Sequence, residues 1–143
     1  RVLVQETADR IMQYRLNEHI EKPDAPFTSA SIHSGIFCRQ VEYAEITADC
    51  DEKNWGKSLS AIEQMLRQAL IYGFTQAEFE RVKTETAAEL DHDIKNVSTR
   101  NSSELAEELI SHINDDQVFL SPVQKKEIFD IVMAHARPKD PEP

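Results

Sequence analysis

The chain contains five histidines, and their spacing in the sequence shows whether they could form the zinc site of a peptidase. A zinc peptidase typically places two histidines one helical turn apart on one helix face, with a glutamate beside them that activates water. None of the five belongs to an H-E-x-x-H or H-x-x-E-H pair of this kind. The spacing therefore predicts no metal ligand and no catalytic base at His19, His33, His92, His112 or His135.

The densest group of potential metal ligands is Asp91-His92-Asp93. Adjacent residues of a helix point about 100° apart, so these three side chains do not converge on one ion. Asn17-Glu18-His19 has the same geometry. Both groups are interpreted as solvated faces of helices.

Cys38 and Cys50 are the two cysteines, and neither is flanked by the signature of a cysteine hydrolase. The extended segment between them would hold them too far apart for a disulfide, so both are expected to be free thiols. Only three glycines are present, and none forms a phosphate-binding loop. The residues alone therefore predict a binding or structural module with no catalytic, cofactor-binding or metal-binding residue.

Charge excludes some partners. With 16 Lys+Arg against 26 Asp+Glu, the 143-residue chain has a net charge of −10, which repels nucleic acid and anionic membrane surfaces. No apolar run approaches the roughly 20 residues of a membrane span, so membrane insertion is not expected.

The elements of the chain are predicted from hydrophobic periodicity. In residues 4–20 an apolar residue recurs every four positions, which predicts an amphipathic helix. The apolar face of this helix consists of Val4, Ala8, Met12, Leu16 and Ile20, with Leu3 and Ile11 beside it. From Phe27 the period changes to two, which predicts a β-hairpin. Ser34-Gly35 is expected to break its first strand, and Ala44, Ile46, Ala48 and Cys50 share one face of the second.

The sequence Ala69–Phe79 predicts a joint between two helices. Gly73 is expected to end the first helix in the left-handed αL conformation. Thr75 and Glu78 form a capping box for the next helix, and Phe74 and Phe79 occupy the positions of a hydrophobic staple.

Four helices follow the hairpin. The first two are predicted from residues that keep the 4-3 spacing of one helix face: Trp55, Leu59, Ile62, Leu66 and Ala69, and then Phe79, Val82, Thr86, Leu90 and Ile94. A fourth helix of the chain, capped by Asn101 and Glu104, presents Leu105, Leu109 and Ile113. Ser121-Pro122-Val123-Gln124 begins a fifth, which runs towards Ala136. Residues 1–136 are therefore expected to form one domain, and residues 137–143, with three prolines, a disordered tail or linker.

The predicted fold is α+β, with a mixed or antiparallel sheet covered by helices. A two-stranded sheet is marginal alone, so either the helices cover one face of the hairpin or flanking strands are missing from a truncated domain. Open sheet edges also predict a homo-oligomer formed by strand pairing.

Several motifs together resemble the pitrilysin/insulinase family of zinc metallopeptidases, which includes mitochondrial processing peptidase. They are Leu16-Asn17-Glu18, Ala25–Ala30 (APFTSA), Gly73–Glu78 (GFTQAE), Arg81-Val82-Lys83, Arg100-Asn101-Ser102, Leu105–Leu109 and Phe119–Pro122. The resemblance covers roughly residues 8–131.

The resemblance implies a non-catalytic second domain of a longer peptidase. In the family, the first domain carries H-x-x-E-H on its opening helix and binds zinc. The corresponding helix here lacks that motif, so the resemblance assigns no catalytic, cofactor-binding or metal-binding residue to this chain. Zinc is expected in the parent's first domain, encoded upstream of Arg1.

The resemblance also implies a role and partners. The domain would form part of the wall of a substrate chamber, in contact with other domains of the same polypeptide and with the peptide substrate. A periplasmic or cell-envelope location fits the family. The alternative hypothesis is a free-standing acidic helical scaffold or adaptor that binds a partner protein through a helix face. An upstream zinc motif would discriminate between the two.

Overall fold

The computed structural model describes residues 2–37, 40–114 and 117–138. The elements are helix α1 (Val2–Ile20), strands β1 (Ser29–Phe37) and β2 (Val41–Asp49), and helices α2 (Trp55–Tyr72), α3 (Gln76–Lys95), α4 (Ser102–Asn114) and α5 (Pro122–His135). Short 3₁₀ turns at Glu52–Asn54 and Val97–Thr99 precede α2 and follow α3. The predicted α+β class and order of elements are confirmed.

The hydrophobic core lies where α1, α3 and α5 meet. Its buried residues are Ile11, Phe79, Val82, Phe129 and Met133. Met12 and Leu16 of the predicted α1 stripe are also buried, but Val4 is exposed, because Leu3 rather than Val4 packs against the core. The core therefore joins three helices that are far apart in the sequence.

The hairpin is antiparallel, with a continuous register from Ser29 opposite Asp49 to Phe37 opposite Val41. The prediction that Ser34-Gly35 breaks the first strand is wrong, because β1 continues through both residues. Gly35 lies opposite Tyr43, and a Cβ on Gly35 would lie 3.3 Å from Cε1 of the tyrosine. The glycine thus makes room for the ring. Cys38 lies outside the described residues, and Cys50 has a free thiol.

Helix α1 packs against β1 and covers one face of the hairpin. On that face Ala30, Ile32, Ile46 and Ala48 are half-buried, as the alternation predicted. Ala44 is exposed, however. One helix is thus enough to cover most of one sheet face.

The joint between α2 and α3 is present, with one correction. The backbone N–H of Gly73 donates to the carbonyl of Ala69 at 3.0 Å. Gly73 has φ 70° and ψ −153°, which is a positive-φ conformation but not the predicted αL conformation. This region is essentially restricted to glycine. Thr75 and Glu78 form the predicted capping box, and Phe74 packs against the core.

Asn101 caps α4, and the predicted capping box forms at the start of α5. The backbone N–H of Ser103 donates to Oδ1 of Asn101 at 2.9 Å at the start of α4. At the start of α5, Ser121 and Gln124 make a reciprocal capping box around Pro122. Local sequence therefore determines where these helices begin.

Helices α2 and α4 expose much of the apolar faces that the spacing identified. On α2, Trp55 is 67% exposed and Leu59 61% exposed, and Leu66 is exposed as well. On α4, Leu109 and Ile113 are exposed. Periodicity identifies the apolar face of a helix, but it does not show that the chain contains a partner for that face.

Replacing Gly73 with alanine is expected to lower the free energy of unfolding by about 1–3 kcal/mol, because a Cβ is strained at this φ and ψ. Gly56→Ala in α2 is the control, since no atom lies within 4 Å of the added Cβ. This control is expected to be neutral or stabilising by up to about 1 kcal/mol. Urea unfolding of both variants measures the difference. Equal effects would contradict the strain argument.

Candidate functional site

The histidines on α1 and β1 make local aromatic contacts. The His19 ring stacks on Phe27 with ring centroids 5.4 Å apart. His33 lies 5.8 Å from the ring of Tyr43, its neighbour across the hairpin. Neither contact brings the imidazole towards another histidine. These two residues act in packing rather than as a pair of ligands.

The other three histidines lie on separate helices. The imidazole of His92 on α3 contacts the side-chain amide of Asn96. Nδ1 of His112 on α4 donates to the carbonyl of Glu108 at 2.7 Å, and His135, the last residue of α5, makes the same type of bond within its own helix. Each imidazole is thus held by its own helix.

Metal ligands do not converge in the part of the chain that the structure describes. Within residues 2–37, 40–114 and 117–138, no three His, Cys, Asp or Glu side chains are placed to hold a metal ion. Asp91, His92 and Asp93 are all exposed on α3. No helix in these ranges is long and apolar enough to cross a membrane.

Arg15 on α1 organises the joint between α2 and α3. Its guanidinium donates to both carboxylate oxygens of Glu78, at 2.6 and 2.9 Å, and to the carbonyl of Gly73 at 3.3 Å. The same group lies 5.1 Å from the centre of the Phe74 ring. Glu78 in turn accepts from the backbone N–H of Thr75 at 2.8 Å. One side chain therefore ties α1 to the end of α2 and the start of α3.

These contacts change the acidity of Glu78. Hydrogen bonds from Arg15 lower the pKa of Glu78 to about 2, although partial burial opposes the shift, and bonds from Thr75 add to the lowering. The depressed pKa means that the folded protein favours the ionised carboxylate. The joint is therefore stabilised by a negative charge held at the N-terminus of α3.

A second set of polar contacts joins α1 to α3 further along. The hydroxyl of Tyr14 donates to Glu85, and the guanidinium of Arg81 lies 4.0 Å from the centre of the Tyr14 ring. The hydrogen bond from Tyr14 lowers the pKa of the Glu85 carboxyl, and the same bond raises the pKa of Tyr14. One turn earlier on α1, Arg10 pairs with Glu89. These contacts fix the rotation of α1 against α3.

A cleft of about 350 Å³ lies between the C-terminal half of α1 and the middle of α2. Its polar lining includes Arg15, Glu18, His19, Lys22 and Gln64. Arg15 is already paired with Glu78, and Lys22 contacts the imidazole of His19 at 3.4 Å. The remaining charges are mixed in sign. The cleft therefore has no arrangement that favours one class of ligand.

The most extensive exposed apolar features of the described residues are two helix faces. We define the α2 surface as Trp55, Leu59, Leu66 and Leu70, and the α4 surface as Leu109 and Ile110; all six are exposed. Exposed apolar groups that lie together mark sites of contact with another surface. These faces, and no cluster of reactive groups, are therefore the candidate functional surfaces.

Sequence reasoning identified Trp55, Leu59, Leu66 and Leu109 as apolar helix positions, but it did not include Leu70 or Ile110. It missed Arg15, because the partner of Arg15 lies 63 residues away in the sequence. The only local signal is a charged residue beside the apolar stripe of α1. Such residues are usually solvated, so this signal could not have distinguished Arg15 from other charged positions.

Comparison with solved structures identifies the fold. The chain superposes on the first half of the periplasmic protease PqqL from Escherichia coli with a TM-score of 0.80, at 17% sequence identity. This match covers 93% of the present chain and 29% of the PqqL half. The whole PqqL protease matches with a TM-score of 0.77 and 17% identity, over 90% of this chain and 14% of PqqL. No protein-family model matches the sequence, and no curated protein matches it significantly.

PqqL is a protease of the pitrilysin/insulinase family, so the resemblance seen in the sequence motifs is confirmed by the fold. The chain spans less than a third of the length of either matched structure. The matched fold therefore corresponds to one part of a larger protease.

Replacing Arg15 with alanine is expected to lower the free energy of unfolding by about 1–3 kcal/mol, because Glu78 loses charged hydrogen bonds at a partly buried site. Arg67→Ala is the matched control. Arg67 pairs with Glu63 within α2, but its side chain is 69% exposed, against 21% for Arg15. The control substitution is expected to lower the free energy of unfolding by about 0.3–0.5 kcal/mol. Urea unfolding that gives equal losses would contradict the role of Arg15.

The lowered pKa of Glu78 predicts a dependence of stability on pH. The carboxylate contributes stability above its unfolded-state pKa of about 4.5, and this contribution disappears as the pH falls towards about 2. After allowance for solvent screening, the free energy of unfolding is expected to fall by about 1–2 kcal/mol as Glu78 becomes protonated. Unfolding of the wild type and of Glu78→Gln is compared at each pH. The difference between them is expected to shrink across this window, and a constant difference would contradict the assignment.

Proposed function

We propose that this chain is a non-catalytic domain of a zinc-dependent metalloendopeptidase and forms part of the wall of the enzyme's substrate chamber. The observation that carries the proposal is the PqqL-like fold, which extends over 93% of the chain. PqqL is described as a periplasmic protease, which also makes a periplasmic location the natural one to test.

The absence of convergent ligands in the described residues supports a non-catalytic role. Zinc hydrolysis needs three protein ligands and an open position for water. The described histidines are separated and held by local contacts, so they do not fit a zinc site. Zinc and the base that activates water would therefore belong to another domain of the same polypeptide.

The apolar surfaces support contact with other parts of that polypeptide. The described part of the chain leaves the α2 and α4 surfaces exposed, and a net charge of −10 does not explain six exposed apolar side chains. Burial of each large apolar side chain in an interface contributes roughly 1.5–3 kcal/mol. Meanwhile, the contacts of Arg15 and Tyr14 make α1 and α3 a rigid support.

The second candidate function is a free-standing acidic adaptor that binds a partner protein through a helix face. The exposed α2 surface favours this candidate as well, because an isolated amphipathic face can bind a separate protein. The two functions differ in their chemistry. A domain of a peptidase is encoded together with a zinc motif, whereas an adaptor is not.

The test uses the full polypeptide that contains this chain. We expect His-x-x-Glu-His upstream of Arg1, and we expect its Glu→Gln variant to retain zinc while losing peptide cleavage. The isolated chain is expected to retain no stoichiometric zinc after dialysis and to cleave no peptide, as measured by elemental analysis and a peptidase assay. Without an upstream zinc motif, the peptidase proposal fails and the adaptor is favoured.

The contact role is tested with Leu59→Glu on the α2 surface. In the isolated chain Leu59 is 61% exposed, so we expect the free energy of unfolding to change by no more than about 0.5 kcal/mol. In the full polypeptide, the same change is expected to lower the melting temperature by several degrees, because a charge would enter an interface. Ser60→Glu, at an exposed polar position of the same helix, is the control. Equal behaviour of both variants would contradict coverage of the α2 surface.

A further inference from the structure

Helix α4 contributes nothing to the hydrophobic core that the structure describes. None of its residues belongs to the buried cluster or packs against it. The helix has no buried residue, and it packs only weakly against the other described elements. Most of the stability of a helix in a protein comes from packing of its apolar face. Little stabilisation of this kind therefore acts on α4.

The side of α4 that faces the rest of the chain is more polar than its outer side. The half-buried residues of the helix are Leu105, Glu108 and His112, whose spacing of three and then four residues places them on one face. Leu109 and Ile110, in contrast, are exposed. A helix held by the hydrophobic effect has the opposite arrangement, with its apolar side inwards. We infer that polar contacts hold α4 where it lies.

Glu108 makes these polar contacts. Nζ of Lys125 on α5 donates to Oε1 of Glu108 at 2.6 Å, and the guanidinium of Arg100, which precedes α4, donates to Oε2 at 2.7 Å. The hydrogen bond from Lys125 lowers the pKa of the Glu108 carboxyl, although desolvation opposes the shift, so the carboxylate is ionised at neutral pH. We call these three residues the Glu108 clasp.

The other bonds described for α4 are local in the sequence. The Nδ1 atom of His112 is bonded to the carbonyl of Glu108, and the His112 ring lies 5.6 Å from the ring of Phe119. The backbone N–H of Gln117 donates to the carbonyl of His112 at 2.8 Å. These contacts join α4 to the segment that follows it, but not to the core. The bond between Glu108 and Lys125 is therefore the principal described link from α4 to another helix.

We propose that α4 is a hinged arm, which swings away from α5 as a unit while the core of α1, α3 and α5 stays folded, and that the Glu108 clasp determines how often the arm opens. Residues 97–101, all of them exposed, form the hinge before α4. Opening adds Leu105 to the accessible α4 surface of Leu109 and Ile110. The inference does not depend on the proposed function, because every group involved lies in this chain.

The first experiment measures amide hydrogen exchange in the 143-residue chain, where the exchange rate reports the opening equilibrium. After correction for intrinsic rates, the amides of Leu109 and Ile110 are expected to exchange at least about 10-fold faster than those of Val82 and Phe129 in the core. They are also expected to exchange more slowly than in an unfolded peptide. Protection equal to that of the core would show that α4 opens only with the whole domain. Either equal protection or no protection at all would overturn the proposal.

Two substitutions on α4 test the clasp. Glu108→Gln keeps the shape of the side chain and removes its charge, so exchange of the α4 amides is expected to accelerate about 3- to 30-fold. The amides of Val82 and Phe129 are expected to be unchanged, which also shows that the variant is folded. Glu107→Gln makes the same change at an exposed position and is expected to alter exchange by less than about 2-fold. Equal effects of the two variants, or equal acceleration in the core, would overturn the proposal.

Limited proteolysis tests the clasp from α5. Trypsin cleavage after Arg100 requires local opening of the surrounding chain. Lys125→Gln does not touch Arg100, yet it is expected to speed this cleavage about 3- to 10-fold, because it releases α4 from α5. Lys126→Gln is the matched control, since Lys126 pairs with Asp130 within α5. Equal cleavage of the two lysine variants would contradict the hinged arm.

A double-mutant cycle tests whether Glu108 and Lys125 act together. The variant that combines Glu108→Gln with Lys125→Gln is expected to exchange its α4 amides no faster than Glu108→Gln alone, because each change breaks the same bond. Fully additive effects of the two substitutions would show that they act separately and would overturn the role of the clasp.

Discussion

The pairing of Arg15 with Glu78 is the interaction on which the arrangement of the helices depends. The joint at Gly73 determines that α2 ends and α3 begins, but a joint alone leaves the direction of α2 open. Arg15 removes that freedom, because from α1 it binds both the carbonyl of Gly73 at the end of α2 and the carboxylate of Glu78 in the cap of α3. The hydrophobic core needs this restraint, since Ile11 on α1 must meet Phe79 and Val82 on α3. A polar contact at the surface of the core thus sets the geometry in which apolar contacts form.

Local sequence features predicted the ends of the elements well. The capping boxes of Thr75 with Glu78 and of Ser121 with Gln124 form because their partners are only three residues apart. The same reasoning erred at Gly35, since the reason for that glycine is the ring of Tyr43 on another strand. It also could not show that Leu59 on α2 and Ile113 on α4 remain exposed. Burial depends on which surfaces are available as partners, and no local pattern contains that information.

The candidate surfaces could be predicted only in part. Sequence periodicity identified Trp55, Leu59 and Leu66 as one apolar face, and the structure adds that this face has no described partner. The contact of α1 with the edge of β1 was not predictable, because it depends on how the Gln13 side chain reaches Ala30 and Ile32. Motif resemblance supplied the fold, which the PqqL match confirms at 17% identity. Resemblance of this kind identifies an architecture more readily than it identifies individual contacts.

The composition of the core has a consequence for the order in which the chain folds during synthesis. The buried cluster joins Ile11 near one end of the chain to Phe129 and Met133 near the other. The cluster therefore cannot close until α5 has left the ribosome. During that interval the apolar residues of α3 lack their contacts with α5, and exposed apolar surface in nascent chains promotes aggregation. A nascent chain that ends before α5 is therefore expected to aggregate more readily than one that includes it, because its core lacks Phe129 and Met133.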